Sequence, residues 1–178
     1  MRICCFLFVA FFFSFCSDLN QTKQLDQLKQ LNASLDSIKF ALKKSEKPTI
    51  LEASKEGKKL LDDLALLIKE DTITEKEALT ISAFSQNLEE SSSLLKDYEK
   101  LVAQLQSEKL ILNNLQKDIS EGYGQRHKYN GYIAFEKIKI KKLTELSKTF
   151  ILTTNTLVVQ TKENSIALKA LYTKQLNR

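Results

Sequence analysis

Helix breakers are almost missing from this chain. One proline, Pro48, and four glycines stand among 178 residues, and three of those glycines fall between positions 122 and 131. Proline and glycine are the residues least compatible with a helix interior, so almost everything outside that short stretch is free to propagate as helix. The apolar spacing takes up the option. Leu28, Leu31, Leu35, Ile38 and Leu42 step by three and four residues, the a/d pattern of a coiled-coil seam. Ile50, Ala53, Gly57, Leu60, Leu64 and Leu67 repeat it. A third seam runs Ile81, Phe84, Leu88, Leu95, Tyr98, Val102, Leu105, Leu112 and Ile119, with Ser91 and Lys109 on seam positions. A fourth is carried by Leu143, Leu146, Phe150, Leu157, Ala167 and Leu171, and it leaks at Thr153, Gln160 and Asn164.

Punctuation separates these seams. Pro48 suits the first turn of a new helix and cannot sit inside an old one. Thr74 with Glu77 has capping-box spacing, and Gly122 is placed as a left-handed C-cap. The expected fold is all-α, a four-helix antiparallel coiled-coil bundle. Its helices cover about 18–44, 48–69, 74–121 and 132–177, in a single domain over 17–178, and the third and fourth form a long hairpin. The β-branched stretch FILTTNTLVV at 150–159 reads as helix because helical periodicity flanks it on both sides. Short connections make neighbours antiparallel. Segment lengths then put Ser17, the 70–74 turn and the C-terminus at one end, and the 122–131 connection at the other.

The first sixteen residues are of another kind. Arg2 precedes an unbroken apolar or small run from Ile3 to Phe15, after which SDLNQ is polar. That layout is a secretory signal segment, and thirteen residues fall short of the roughly 20 needed to span a bilayer as a helix. Cys16 follows the run directly. FSFC at 13–16 resembles the lipobox of bacterial lipoprotein signals, with Phe15 where that family has a small residue. The resemblance covers residues 1–16 only, and it implies acylation of the Cys16 thiol and a membrane-anchored protein of the cell envelope, in the periplasm or at the cell surface. Cleavage after Cys16, with Ser14 and Cys16 as a small-x-small site, is the alternative and makes a secreted protein. The three cysteines, Cys4, Cys5 and Cys16, all lie in this segment. The remaining chain therefore holds no disulfide, thiolate nucleophile or cysteine metal site.

Charge is unevenly spread under a net +5. Residues 17–70 carry ten basic and nine acidic groups, 71–122 five and ten, and 123–178 eleven and three. The basic KIKIKK at 137–142 offers Lys137, Lys139, Lys141 and Lys142 to a polyanion or lipid surface; pairing of the basic fourth helix with the acidic third is the competing use. EGYGQRHKYNGY at 121–132 is the one loop of unusual composition. Tyr123, Arg126, Tyr129 and Tyr132 are residue types that anchor protein contacts, and they equally suit a turn that covers helix ends.

Catalysis finds no support in the motifs. A lone histidine, His127, and no GxSxG, HExxH or GxxxxGK[ST] leave neither an activated nucleophile nor a phosphate cradle. The chain is expected to be no enzyme and to use no metal or cofactor. Export and the lack of a recognised binding motif argue against nucleic acid. The sequence points to an exported spacer, scaffold or adhesin that meets a protein partner through helix surfaces or loop 122–131, with self-association open to it. A polyanion- or lipid-binding module built on the basic segment is the alternative.

Overall fold

The computed structural model describes residues 3–45, 47–68 and 73–177, with side chains from Leu19 onward except at 47–49. The protein is all-helical: α1 is Ile3–Lys43, α2 Lys47–Leu67, α3 Glu75–Glu121 and α4 Tyr129–Leu176, with a 3-10 turn at Arg126–Lys128 leading into α4. No strand occurs among the described residues, and 150–159 lies inside α4. Two expected boundaries move. The first helix begins at Ile3 rather than near 18, because nothing across the presumed processing point breaks a helix. The fourth begins at Tyr129 rather than 132, because Tyr129 is itself a buried core residue.

The punctuation does its expected work. The Thr74 backbone N–H donates to Glu77 Oε2 at 2.8 Å, and the Glu77 N–H donates to Thr74 Oγ1 at 3.4 Å, the two bonds of a capping box. At the other end of α3 the Tyr123 N–H reaches the Asp118 carbonyl at 2.9 Å and the Gly122 N–H the Ile119 carbonyl at 3.3 Å. That pair is a Schellman cap, and Gly122 adopts the φ of +71° that it requires.

The chain divides into two compact units. Met1–Phe40 and Val102–Glu145 make the first, Ala41–Leu101 and Leu146–Arg178 the second. In the first, α1 buries Gln24, Leu28, Leu35 and Ile38, α3 buries Leu105, Glu108, Leu112, Leu115 and Ile119, and α4 buries Tyr129, Ile133, Glu136, Ile140 and Leu143. In the second, Leu64, Phe84, Leu168 and Leu171 form a buried cluster, with Leu60, Leu61, Ile68, Ile81, Leu88 and Tyr172 packed against it. Gly57 is required there, since a Cβ would collide with the Phe84 ring.

Contacts of the first unit correct the expected topology. Gln21 Nε2 donates to the Ile119 and Ser120 carbonyls at 2.7 and 3.2 Å, and Gln24 Nε2 donates to Asn130 Oδ1 at 2.8 Å. The early part of α1 therefore lies beside the 122–128 connection, from which it was expected to stand at the opposite end. One apolar stripe per helix suffices to close a core of three, and α1 supplies the third stripe along α3 and α4.

On α3 and α4 half of each expected seam is buried as read, Phe84, Ser91, Leu105, Leu112 and Ile119 and then Leu143, Phe150, Leu157 and Leu171, while the alternate positions shift by one residue. On α3 the chain buries Asn87, Leu94, Leu101 and Glu108, where Leu88, Leu95, Val102 and Lys109 were expected. On α4, Ser147, Thr154, Thr161 and Leu168 replace Leu146, Thr153, Gln160 and Ala167. Leu67 of α2, also expected inside, is exposed.

Candidate functional site

The glycine-rich connection is tightly braced. After the Schellman cap, Gly124 takes a φ of +79°, and the chain turns into α4 within a few residues. Tyr129 is only 4 % exposed, and its hydroxyl donates to the Asp118 carbonyl at 3.1 Å. The Arg126 guanidinium lies against Gly122, with Nε donating to the Gly122 carbonyl at 3.3 Å. Of the four residues expected at a contact tip, Tyr129 and Arg126 therefore brace the turn, while Tyr123 and Tyr132 face outward.

The basic segment is split by the helix it sits on. Lys139 Nζ is 2.8 Å from Glu108 Oε1 on α3 and 2.8 Å from Glu136 Oε2 one turn back on α4. Both carboxylates are buried. Burial pushes the Glu136 carboxyl up, against the hydrogen bond from Lys139, and the neighbouring Glu108 adds to the rise. For Lys139, burial works against the ammonium, yet the hydrogen bonds to Glu108 and Glu136 outweigh it and its pKa is raised. Lys139 is thus committed to two internal partners and is not free for a polyanion. Lys137 lines a cleft of about 560 Å³ against α1, with Lys23, Gln27 and Asn130. Lys141 and Lys142 remain exposed and make no ion pair among the described residues.

Sequence reasoning missed Glu108 and Glu136 as a pair. The available signal was a charged residue on a seam position: 129, 133, 136 and 140 keep the 4-3-4 step, and Glu136 stands in it. A smaller cleft of about 280 Å³ lies beside the turn, lined by Gln21, Gln24, Ile119, Arg126 and Tyr129 among others. Its walls offer amides, a phenol, the Arg126 guanidinium, the Glu121 carboxylate and backbone groups, which can hydrogen-bond a polar group.

The side chain of Cys16 lies outside the described residues. Among the described residues no three of His, Cys, Asp and Glu gather where they could hold a metal ion, and no helix is long and apolar enough to cross a membrane. Comparison of the chain with protein-family models, curated proteins and solved structures found no match.

Proposed function

We propose that this chain is a non-enzymatic, exported coiled-coil protein of the cell envelope, held at a membrane through acylated Cys16 and working as a spacer, scaffold or adhesin through its helix surfaces. The observation that carries the reading is the placement of Cys16 between an apolar run and a polar start, with no other cysteine in the remaining chain. The antiparallel coiled-coil arrangement belongs to the same proposal. Its support is the pairing of rising with falling residue numbers, Gln21 with Ile119 and Asp36 with Lys109 for α1 and α3, and Glu108 with Lys139 and Asp118 with Tyr129 for α3 and α4.

Mass spectrometry of the mature N-terminus tests the anchor. An acylated Cys16 is expected, and Cys16→Ser should abolish lipid labelling and leave an unprocessed precursor. A mature chain starting at unmodified Ser17 overturns it in favour of simple secretion. Crosslinking of the exported protein in its own envelope identifies the partner, whether another protein or a second copy.

A further inference from the structure

We propose that the outward face of α4 around Phe135 binds an anionic lipid surface. Tyr132, Phe135 and Ile138 follow one another at every third residue and are 47 %, 61 % and 68 % exposed. Helical geometry puts Lys142, seven residues past Phe135, on the same line of the helix, and Lys128 closes the 3-10 turn immediately before α4. Lys141, three residues past Ile138, flanks that line. All three lysines are exposed and pair with no carboxylate among the described residues. Lys139 Nζ sits 5.3 Å from the centroid of the Phe135 ring, and Lys139 is itself held by Glu108 and Glu136. The ring is therefore fixed in place before anything binds, so less freedom is lost on docking.

Charge and area choose the occupant. A second copy would bring the same lysines against these. A partner helix has too little to grip: aromatic side chains bury roughly 150–250 Å² each when fully covered, so three half-to-two-thirds exposed residues offer roughly 300–400 Å². A stable protein interface takes about 800 Å² per partner. Bulky apolar side chains among unpaired lysines are the composition of a helix lying in a membrane interface, where shallow burial and attraction to anionic headgroups act together. The corrected topology adds to this. Cys16 stands five positions before Gln21, at most about 17 Å of chain, and Gln21 and Gln24 are bonded to Ile119 and Asn130. An acyl group on Cys16 would bring a bilayer to the same end of this unit as Phe135. For the nearness of a membrane the inference rests on the anchored reading; for the patch itself it does not.

The chain contains no tryptophan, so Phe135→Trp places a single fluorescent reporter at the centre of the face. The reporter is made in the full chain with Cys16→Ser, which keeps its outcome separate from that of acylation. Vesicles of phosphatidylglycerol at low salt should shift its emission to the blue and shield it from iodide, and phosphatidylcholine vesicles should not. Raising the salt, or adding Lys128→Gln, Lys141→Gln and Lys142→Gln, should weaken the response, by about fivefold in affinity per lysine. Helicity by circular dichroism should match the parent throughout. An unshifted reporter on phosphatidylglycerol overturns the proposal, as does an equal shift on phosphatidylcholine. A shift with an acidic amphipathic peptide but not with either vesicle also overturns it and identifies a protein partner instead.

Discussion

The two units solve the same problem with different polar residues. Each places polar groups on seam positions that an ideal coiled coil would fill with leucine. In the second unit these are mostly small hydroxyls, and two of them bond within their own helix: Ser91 Oγ donates to the Asn87 carbonyl at 2.7 Å and Thr154 Oγ1 to the Phe150 carbonyl at 2.8 Å, each four residues back. Such bonds satisfy the hydroxyl without engaging a neighbouring helix, so register there is left to shape, above all to Phe84 seated over Gly57. In the first unit the buried polar groups are Gln24, Glu108 and Glu136; Gln24 and Glu108 find partners on another helix, Asn130 and Lys139, and Glu136 shares Lys139 from within α4. A long polar side chain in a seam has to find its partner across the core, and one sliding turn would lose it. Hydroxyls thus fill a seam, whereas charges and amides specify its alignment.

That contrast is sharpest where each unit is most exposed to damage. Phe84→Ala should produce the largest loss, about 3–5 kcal/mol of unfolding free energy. The ring is fully buried, and the facing Gly57 has no side chain that could move into the space. Denaturant melts measure the loss, and hydrogen exchange should show it concentrated at Leu64, Leu168 and Leu171. A loss under about 1 kcal/mol would mean that shape does not hold the second unit.

Lys139→Ala should come next, at about 3 kcal/mol near neutral pH, the low end for breaking a buried pair because the Lys139 side chain keeps 28 % of its exposure. The variant leaves Glu108 and Glu136 facing each other without their shared cation. Acid should undo the damage. Burial already raises the Glu136 carboxyl, so protonation of a carboxyl removes the repulsion as pH falls, and variant and parent should converge. If the deficit is the same at low and neutral pH, Lys139 contributes packing rather than charge.

The sequence made the ends of helices easier to read than their faces. Thr74 with Glu77, Gly122 and Pro48 act through their own backbone neighbourhood, so composition over three or four residues was enough. Faces depend on a choice between adjacent positions, and there hydrophobicity misled. Leu94 and Leu95 are equally apolar, as nearly are Leu101 and Val102; Leu88 outranks Asn87, yet Asn87 is the buried one. Across Glu108 and Lys139 the pattern carried no apolar signal at all, because the core there is held by an ion pair. The loop divided for a related reason: its four anchor-type residues share a composition, and only the cap geometry at Gly122 decides that Tyr129 turns inward while Tyr123 does not.

The smallest effect tests a charge that the second unit uses across helices. Lys174 Nζ donates to Glu77 Oε1 at 2.8 Å, joining α4 to the capping box at the start of α3. The hydrogen bond from Lys174, followed by that from the Thr74 backbone, holds the Glu77 carboxyl down at about 2, whereas an unfolded glutamate titrates near about 4.3. A carboxyl depressed on folding stabilises the protein at every pH above its unfolded value, and the contribution is lost as pH falls from about 4.3 through about 2. Glu77→Gln keeps a side chain able to cap the Thr74 N–H and removes only the charge. The variant should therefore be slightly less stable than the parent at pH 7, with the gap narrowing below about pH 4.3 and closing near pH 2, as read from thermal melts across that window. A gap that stays constant through the acid range would place the value of Glu77 in its hydrogen-bond geometry rather than in its charge.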